Sequence, residues 1–254
     1  MTCVENIKDA TNMTFSCQDE CILFTSGNKL STRRFHHNLD KEGSTKITPT
    51  TTDIENGNTL NSITFEPAHR ITSIASINGA MVNMVGCACS DRTLHIVDIV
   101  QNKILWSKKD CAGSRAAHSI AFPQPSPNVP LSSNNYDLLV AASTDNGGLL
   151  TLFDVRCGDI VKRFSGHVNR RDICMSFSPC VRYVSVGSEG YYSTGTLYDL
   201  RGGNIPMTTK LGRSNQNTVF RDGTTTDCQF NPIYPQLVTG SQSGKLRWYT
   251  ECII

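Results

Sequence analysis

The residues of this sequence whose side chains could take part in catalysis or binding are a histidine, a few cysteines and a set of arginines. The stretch SGHVNRRDICMSFSPC at 165–180 places His167 shortly before Arg170 and Arg171. A histidine can act as a general base, but it must have a nucleophile within reach, and the neighbouring sequence offers none. We therefore predict a structural role for His167 rather than a catalytic one.

Cysteine and histidine residues elsewhere could bind a metal or undergo redox chemistry. Cys17 and Cys21 precede a pair of histidines at 36–37, but this spacing differs from the compact pattern of small zinc modules. The CAC sequence at 87–89 lies in an apolar stretch with the alternation of a strand, which favours packing of both thiols on one face. We predict neither a metal site nor a redox pair.

Sequence motifs for phosphate, dinucleotide and nucleophile chemistry are absent. The chain contains no GxxxxGK[ST], no GxGxxG and no GxSxG, and no pair of carboxylates suggests acid/base catalysis. We predict that the protein is not an enzyme and uses no cofactor.

The elements that must position these residues are repeated strand pairs. Each pair is an apolar strand, a cluster of small residues, a polar turn and a second alternating strand, as in VSVGSEGYYSTGTLYD at 184–199, LLVAASTDNGGLLTLFD at 138–154, MVGCACSDRTLHIVD at 84–98 and LVTGSQSGKLRWYT at 237–250. A further strand ending in Phe and Pro precedes several pairs. The pattern predicts five strand triplets, near 13–35, 71–98, 116–154, 173–199 and 226–250.

These units resemble WD repeats. One unit carries the Gly-His pair of such repeats at 166–167, a Phe-Ser-Pro turn at 177–179, Ser188, and Tyr-Asp at 198–199 where Trp-Asp is usual. The resemblance covers residues 60–254 well and residues 1–35 poorly. It implies an all-β, WD-repeat-type β-propeller with about five blades, which is either an incomplete part of a seven-bladed propeller or one that closes atypically. We favour the incomplete propeller.

The resemblance also implies structural hydrogen bonds that join the loops within each blade. The residues expected to form them are His69, Asp91, Ser143, Asp145, His167, Ser188, Tyr198 and Ser241. No blade keeps the full set of His, Ser, Asp and Trp, so the blades are expected to depend more on apolar stacking.

In a propeller the loops that enter the first strand and join the second and third strands share one face, called the top face. The residues expected there that could bind a partner are Arg70, Arg92, Arg115, Arg170, Arg171, Tyr191, Tyr192, Arg221 and Lys245. Arginine and tyrosine concentrate binding energy at interfaces, and arginine clusters suit carboxylate or phosphate groups. The alternative is a solvated rim, with these charges paired to Asp145, Asp172 and Asp222.

We therefore predict a protein-interaction scaffold that binds an acidic or phosphorylated peptide. Phosphoinositide binding through Leu200-Arg201-Gly202-Gly203 is a less favoured alternative because the motif has one arginine, and a propeller enzyme is the least favoured. The formal charge of +2 gives no reason to expect nucleic acid as a partner. Eleven scattered cysteines, no signal-like N-terminal stretch and no apolar run long enough for a membrane span predict a cytoplasmic or nuclear location.

The sequence divides into a less regular first blade at 1–35, a polar Thr-rich loop at 36–59, and four clearer blades of the same domain at 60–254. Residues 123–136 contain four prolines and are predicted to form an extended loop.

Overall fold

Strands form most of the regular structure of this chain. The computed structural model describes residues 9–16, 18, 21–34, 36–39, 45–48, 61–79, 82–126, 137–170, 174–189, 196–202, 224–234 and 236–250. A 3₁₀ turn lies at Asp145–Gly147, and within the described ranges no helix is long and apolar enough to cross a membrane.

Twenty strands can be followed through the described ranges. In chain order they are β1 (Ala10–Ser16), β2 (Cys21–Ser26), β3 (Lys29–Arg34), β4 (His36–Leu39), β5 (Thr45–Thr48), β6 (Asn61–Thr64), β7 (Ile71–Ser76), β8 (Met84–Cys89), β9 (Thr93–Asp98), β10 (Lys103–Lys109), β11 (Ala117–Ala121), β12 (Leu138–Ser143), β13 (Leu149–Asp154), β14 (Asp159–Phe164), β15 (Met175–Phe177), β16 (Tyr183–Val186), β17 (Thr196–Asp199), β18 (Thr225–Phe230), β19 (Gln236–Ser241) and β20 (Leu246–Thr250).

The strands form six antiparallel sheets: the two-stranded hairpin β4-β5 and five larger sheets, which we number blades 1 to 5. Blade 1 has the order β1-β2-β3-β6, blade 2 is β7-β8-β9-β10, blade 3 is β11-β12-β13-β14, blade 4 is β15-β16-β17 and blade 5 is β18-β19-β20. The five predicted strand triplets are therefore confirmed, each as the first three strands of a blade. Residues such as Val, Ile, Phe and Tyr at alternating positions suit these sheets because a branched or aromatic side chain packs well on a pleated surface.

The first strand of every blade faces a common axis. Strand β1 contacts β7, β7 contacts β11, β11 contacts β15, and β15 contacts β18. One cavity of about 290 Å³ is lined by residues of all five of these strands, from Thr14 of β1 to Phe230 of β18. The sheets are thus arranged radially, as in a propeller, rather than stacked as in a sandwich.

Four apolar cores hold the five blades together. The core between blades 1 and 2 includes Leu23 and Val97, and the core between blades 2 and 3 includes Ile96 and Phe153. The third core surrounds Tyr198, and a smaller core lies between blades 4 and 5. Since both faces of each middle blade are apolar, stacking of neighbouring sheets removes this surface from water and provides the main stabilisation.

The first part of the chain differs from the sequence prediction. Strand β6, which begins at residue 61, pairs with β3 and completes blade 1, so this blade extends past the predicted boundary at residue 35. Part of the segment predicted as a loop at 36–59 forms the hairpin β4–β5. The Thr-rich composition that suggested a loop is also compatible with a strand, because threonine is β-branched. The predicted loop at 123–136 lies outside the described residues from position 127 onward.

Candidate functional site

The blades bring two kinds of loop to one edge. Because neighbouring strands are antiparallel, the chain enters each first strand at the edge where the second and third strands are joined. We call this the upper edge and the opposite one the lower edge. Hydrogen bonds join the two kinds of loop: the Ser90 amide donates to the Arg70 carbonyl (2.9 Å), and the Glu189 amide donates to the Val168 carbonyl (2.8 Å). The upper edge is thus a connected set of loops from successive blades.

His167 lies in the upper loop that enters blade 4 and is buried. Its Nδ1 is 2.7 Å from the hydroxyl of Tyr198, which occupies the place of the usual Trp on β17. The Tyr198 hydroxyl donates its single proton to the Ser165 carbonyl (3.2 Å), so it can only accept the hydrogen bond from His167. His167 therefore carries its proton on Nδ1 and donates it to the Tyr198 oxygen. Ser188 lies close by, where its hydroxyl is 3.4 Å from the Val168 amide.

The other ring nitrogen of His167 is left as a buried acceptor. Its Nε2 has no hydrogen-bond partner within the described part of the chain and lies beside Gly148, where a Cβ atom would be 2.9 Å away. Burial, and second the nearby His118, lower the pKa of His167 to about 4. The ring is neutral at physiological pH, and the hydroxyl that it contacts belongs to Tyr198, whose own pKa is raised by burial. This geometry suits a structural link and offers no activated nucleophile.

Asn169 belongs to the same buried group, although sequence reasoning did not identify it. Its side chain is fully buried, its Nδ2 donates to Nε2 of His118 (3.3 Å), and its amide donates to the Gly147 carbonyl (2.5 Å). These contacts join the entry loop of blade 4 to blade 3. The sequence could have indicated this role, because Asn169 is two residues after His167. In an extended loop, that spacing places both side chains on the same side.

Blade 3 uses a serine where the repeat would have a histidine. Ser114, in the loop that enters β11, donates to the carboxylate of Asp145, and the Ser143 hydroxyl donates to the Ala112 carbonyl (2.5 Å). A Cβ atom at Gly113 would lie within 3 Å of three side-chain atoms of Asp145. The close approach of the two loops therefore depends on Gly113 and on the short serine side chain.

Blade 2 does not bring its predicted pair together. His69 is exposed, while Asp91 accepts hydrogen bonds from the Thr93 amide (3.1 Å) and hydroxyl (2.9 Å). The physical reason is that Val97, at the position of the usual Trp, offers His69 no polar partner. In blade 5 the Ser241 hydroxyl bonds within its own turn, where it accepts from the Lys245 amide (3.2 Å).

Three arginines of the upper edge are exposed. Arg70, Arg115 and Arg170 each lie in the loop that enters the first strand of a blade, in blades 2, 3 and 4. Within the ranges described above, no ion pair joins any of the three to an acidic side chain. Arg92 differs, since its Nε is 3.0 Å from a carboxylate oxygen of Asp110.

The remaining predicted positions are less informative. Lys245 lies in the turn between β19 and β20, also at the upper edge. Four predicted partner-binding residues fall outside the described ranges: Arg171, Tyr191, Tyr192 and Arg221.

Two arginines of the lower edge have acidic partners. Arg156 contacts Asp154, with 2.6 Å between Nη2 and Oδ2, and Arg182 contacts Asp199, with 2.9 Å between the same atom types. The hydrogen bond from each arginine lowers the pKa of its carboxyl partner. These two arginines therefore differ from Arg70, Arg115 and Arg170 of the upper edge, which form no ion pair within the described chain.

The central cavity and the cysteines offer other chemistry. No described residue that lines the cavity is charged, and its lining combines hydroxyl, amide and apolar groups.

Cys87 and Cys89 are fully buried, and burial raises the pKa of both thiols, that of Cys89 to about 12. Among the described residues, no three of the His, Cys, Asp and Glu side chains are grouped as metal ligands would be. Cys17, whose spacing from Cys21 and the histidines at 36–37 was compared with that of zinc modules, lies outside those residues.

Comparison with known proteins defines the class of fold. No protein-family model matches the chain. Its fold is similar to that of a chain in a solved structure, "Crystal Structure of Mitotic Checkpoint Complex", with a TM-score of 0.62 and 12% sequence identity. The match covers 95% of this chain and 62% of the other, so this chain spans less than two thirds of that neighbour's length. Together with the radial sheets, the likeness shows a β-propeller fold.

Proposed function

We propose that this protein is a non-catalytic scaffold whose upper edge binds an acidic or phosphorylated peptide. The observation that carries the proposal is the presence of Arg70, Arg115 and Arg170 in three successive entry loops, exposed and without an acidic partner in the described chain. Arginine presents a planar fork of donors that matches carboxylate and phosphate oxygens.

The arrangement of the loops supports recognition of an extended segment rather than a single ion. Each arginine comes from a different blade, so the three guanidinium groups are spread along the edge. The entry loops of blades 2 and 4 are fixed by backbone hydrogen bonds at Ser90 and Glu189. Fixed loops lose little conformational entropy on binding, which favours affinity.

The central cavity is less suited to such a partner. Its described lining has no charged residue, so a phosphate or carboxylate that entered it would lose water without gaining a counter-charge. The lower edge is also less suited, since Arg156 and Arg182 already bind carboxylates. The charge distribution therefore favours the upper edge.

Phosphoinositide binding is the runner-up. The residues Leu200 to Gly202 follow β17 at the lower edge, where the Arg201 amide donates to the Asp199 carboxylate (2.9 Å). One arginine is a small counter-charge for a multiply charged headgroup. Flotation with phosphoinositide liposomes would reveal this activity, and a turnover screen would reveal an enzyme.

The particular member of the repeat class is also a proposal. The stretches SGHVNRR, FSPCVRY, NPIYPQLVTGS and GKLRWY resemble the C-terminal blades of WD-repeat protein twenty-seven. If this chain corresponds to C-terminal blades, further blades are encoded before it. Sequencing the transcript on the 5′ side of the Met1 codon would therefore test this relationship.

The binding proposal can be tested with a charge-reversal pair. Fluorescence polarisation would measure binding of the wild-type chain to an array of acidic and phosphorylated peptides and to their neutral, unphosphorylated counterparts. For a peptide that binds, Arg115→Glu with Arg170→Glu is expected to weaken affinity about tenfold or more, because charge-assisted hydrogen bonds are lost and repulsion replaces them.

Arg201→Glu is the matched control, because it reverses an arginine of the lower edge. It should leave peptide affinity unchanged. Equal weakening by both changes, or a preference for the neutral peptides, would contradict a binding site at the upper edge.

A further inference from the structure

The connection that follows β11 crosses the lower side of the propeller. Its described part, residues 122–126, is called the strap below. β12 begins only at residue 138, whereas the corresponding connections of blades 2 and 4, at 77–83 and 178–182, are shorter. Phe122 is 2% exposed and packs in the core between blades 2 and 3, so the strap is anchored where it begins.

The middle of the strap is bonded to blade 2. The Gln124 side chain donates from Nε2 to the Ser76 carbonyl (2.8 Å), and its Oε1 accepts from the Asn78 amide (3.1 Å). The Gln124 amide thus uses both its donor and its acceptor on the backbone of blade 2. Pro125 lies beside the same loop, since a Cβ atom at Gly79 would be 3.4 Å from its Cγ.

Two residues after Gln124, the strap is bonded to blade 5. The Ser126 hydroxyl donates to the carbonyl of Pro232, in the loop between β18 and β19 (2.5 Å). Ser126 is 9% exposed, so water competes little for this hydrogen bond. An extended chain covers at most about 3.6 Å per residue, so the contacts with the two blades are about 7 Å apart along the strap.

The strap borders the lower end of the central cavity. The first strands run from the upper edge to the lower edge, and the cavity is lined near the lower ends of these strands, for example by Ser76, Phe177 and Phe230. Four of the five strap residues, all except Pro123, belong to the same lining. Blades 3 and 4 separate blades 2 and 5 around the axis, so a segment bonded to both passes across this end of the cavity.

We propose that the strap closes the lower end of the central cavity and couples blade 2 to blade 5. The contacts between first strands join neighbouring blades, whereas the strap joins two blades that are not adjacent. Gln124 and Ser126 belong to one short segment, so release of either side chain loosens the hold on the other. Release of both opens the cavity to solvent from the lower side.

Hydrogen–deuterium exchange of two single variants tests the coupling. Gln124→Ala removes the contact with blade 2, and Ser126→Ala removes the contact with blade 5. Each change should speed exchange about threefold or more at both attachment sites, the amides within 76–79 and within 233–236, because loss of one hydrogen bond loosens the whole strap. The informative site is the remote one, which is blade 5 for Gln124→Ala and blade 2 for Ser126→Ala.

Asn28→Ala is the matched control for these variants. It removes a side-chain amide that donates to the Phe65 carbonyl (3.0 Å) in blade 1, away from the strap. Exchange at both attachment sites should stay at the wild-type rate. Faster exchange at the near site alone in each strap variant would mean that the two contacts are independent, and it would overturn the coupling.

An uncharged dye that fluoresces in apolar surroundings, Nile red, tests the closure of the cavity. The double variant Gln124→Ala/Ser126→Ala should bind the dye with at least about threefold greater fluorescence than the wild type, since the apolar lining becomes accessible. Its circular dichroism spectrum should match that of the wild type, and Asn28→Ala should show wild-type fluorescence. Wild-type fluorescence in the double variant, together with fast exchange at both attachment sites, would show that the released strap does not open the cavity.

Discussion

Replacement of His167 by asparagine should change how the stability of the protein depends on pH. An asparagine Nδ2 can donate to the Tyr198 hydroxyl much as the His167 Nδ1 does, but it does not titrate. The wild-type ring cannot accept a second proton easily, because its Nε2 is buried beside Gly148 and close to His118. The variant should therefore retain the link and lose the titration.

The direction of the effect follows from where the proton binds. The pKa of His167 is lowered to about 4 in the folded protein, against 6.5 for an ordinary histidine, so the folded state binds fewer protons than the unfolded state between these values. The full stabilisation is present above pH 6.5 and is lost as the pH falls toward 4. Between about pH 7.5 and pH 5, linkage gives a loss of about 2 kcal/mol from this one residue.

Urea unfolding at these two pH values measures the difference directly. We expect the wild-type chain to lose about 2 kcal/mol more unfolding free energy than His167→Asn on going to the lower pH. Burial also lowers the pKa of His95, but that contribution is common to both proteins and cancels in the comparison. The same pH dependence in both proteins would refute the assignment of His167 as a buried neutral residue.

Three further predictions concern the same blades and the thiols. Tyr198→Phe should reduce the unfolding free energy by about 1–3 kcal/mol in a urea titration, because the buried His167 Nδ1–H loses its acceptor; an unchanged midpoint would contradict this. Gly148→Ala should lower the melting temperature, since φ is +144° and a Cβ atom would lie 2.8 Å from the His167 carbonyl oxygen; a stabilised variant would count against that contact. In the native protein Cys157 should react with iodoacetamide much faster than Cys89, because Cys157 is exposed and burial raises the pKa of the Cys89 thiol to about 12; mass spectrometry that finds equal labelling would disprove the burial.

Much of the fold was predictable because it depends on local patterns. Alternation of apolar residues, and Phe followed by Pro at the end of a strand, identified the first three strands of each blade. Strand β6 was harder to assign, because it pairs with β3 across an insertion of 26 residues between residue 34 and residue 61. A local sequence pattern does not predict which earlier strand a later strand pairs with, because that pairing depends on tertiary packing.

The site was predictable where a repeat residue kept its partner and unpredictable where the partner had changed. His167 and Tyr198 contact each other, as the resemblance implied. Asp145 instead accepts a hydrogen bond from the Ser114 hydroxyl. Ser114 thus takes the place of the histidine, which only the three-dimensional structure of the loop reveals. His69 is exposed because Val97 removed the polar group that would have held it. Polar networks depend on every member, so one substitution redirects the rest.

Hydrogen–deuterium exchange with a bound acidic or phosphorylated peptide tests the proposed function most directly, because it reports which edge is covered. We predict slower exchange in the upper loops at 66–70, 113–116 and 165–170 when the peptide is present. The lower loops at 155–158 and 200–202 should exchange as before. Protection confined to the lower loops, or no protection at the three upper ones, would contradict binding at the arginine-bearing edge.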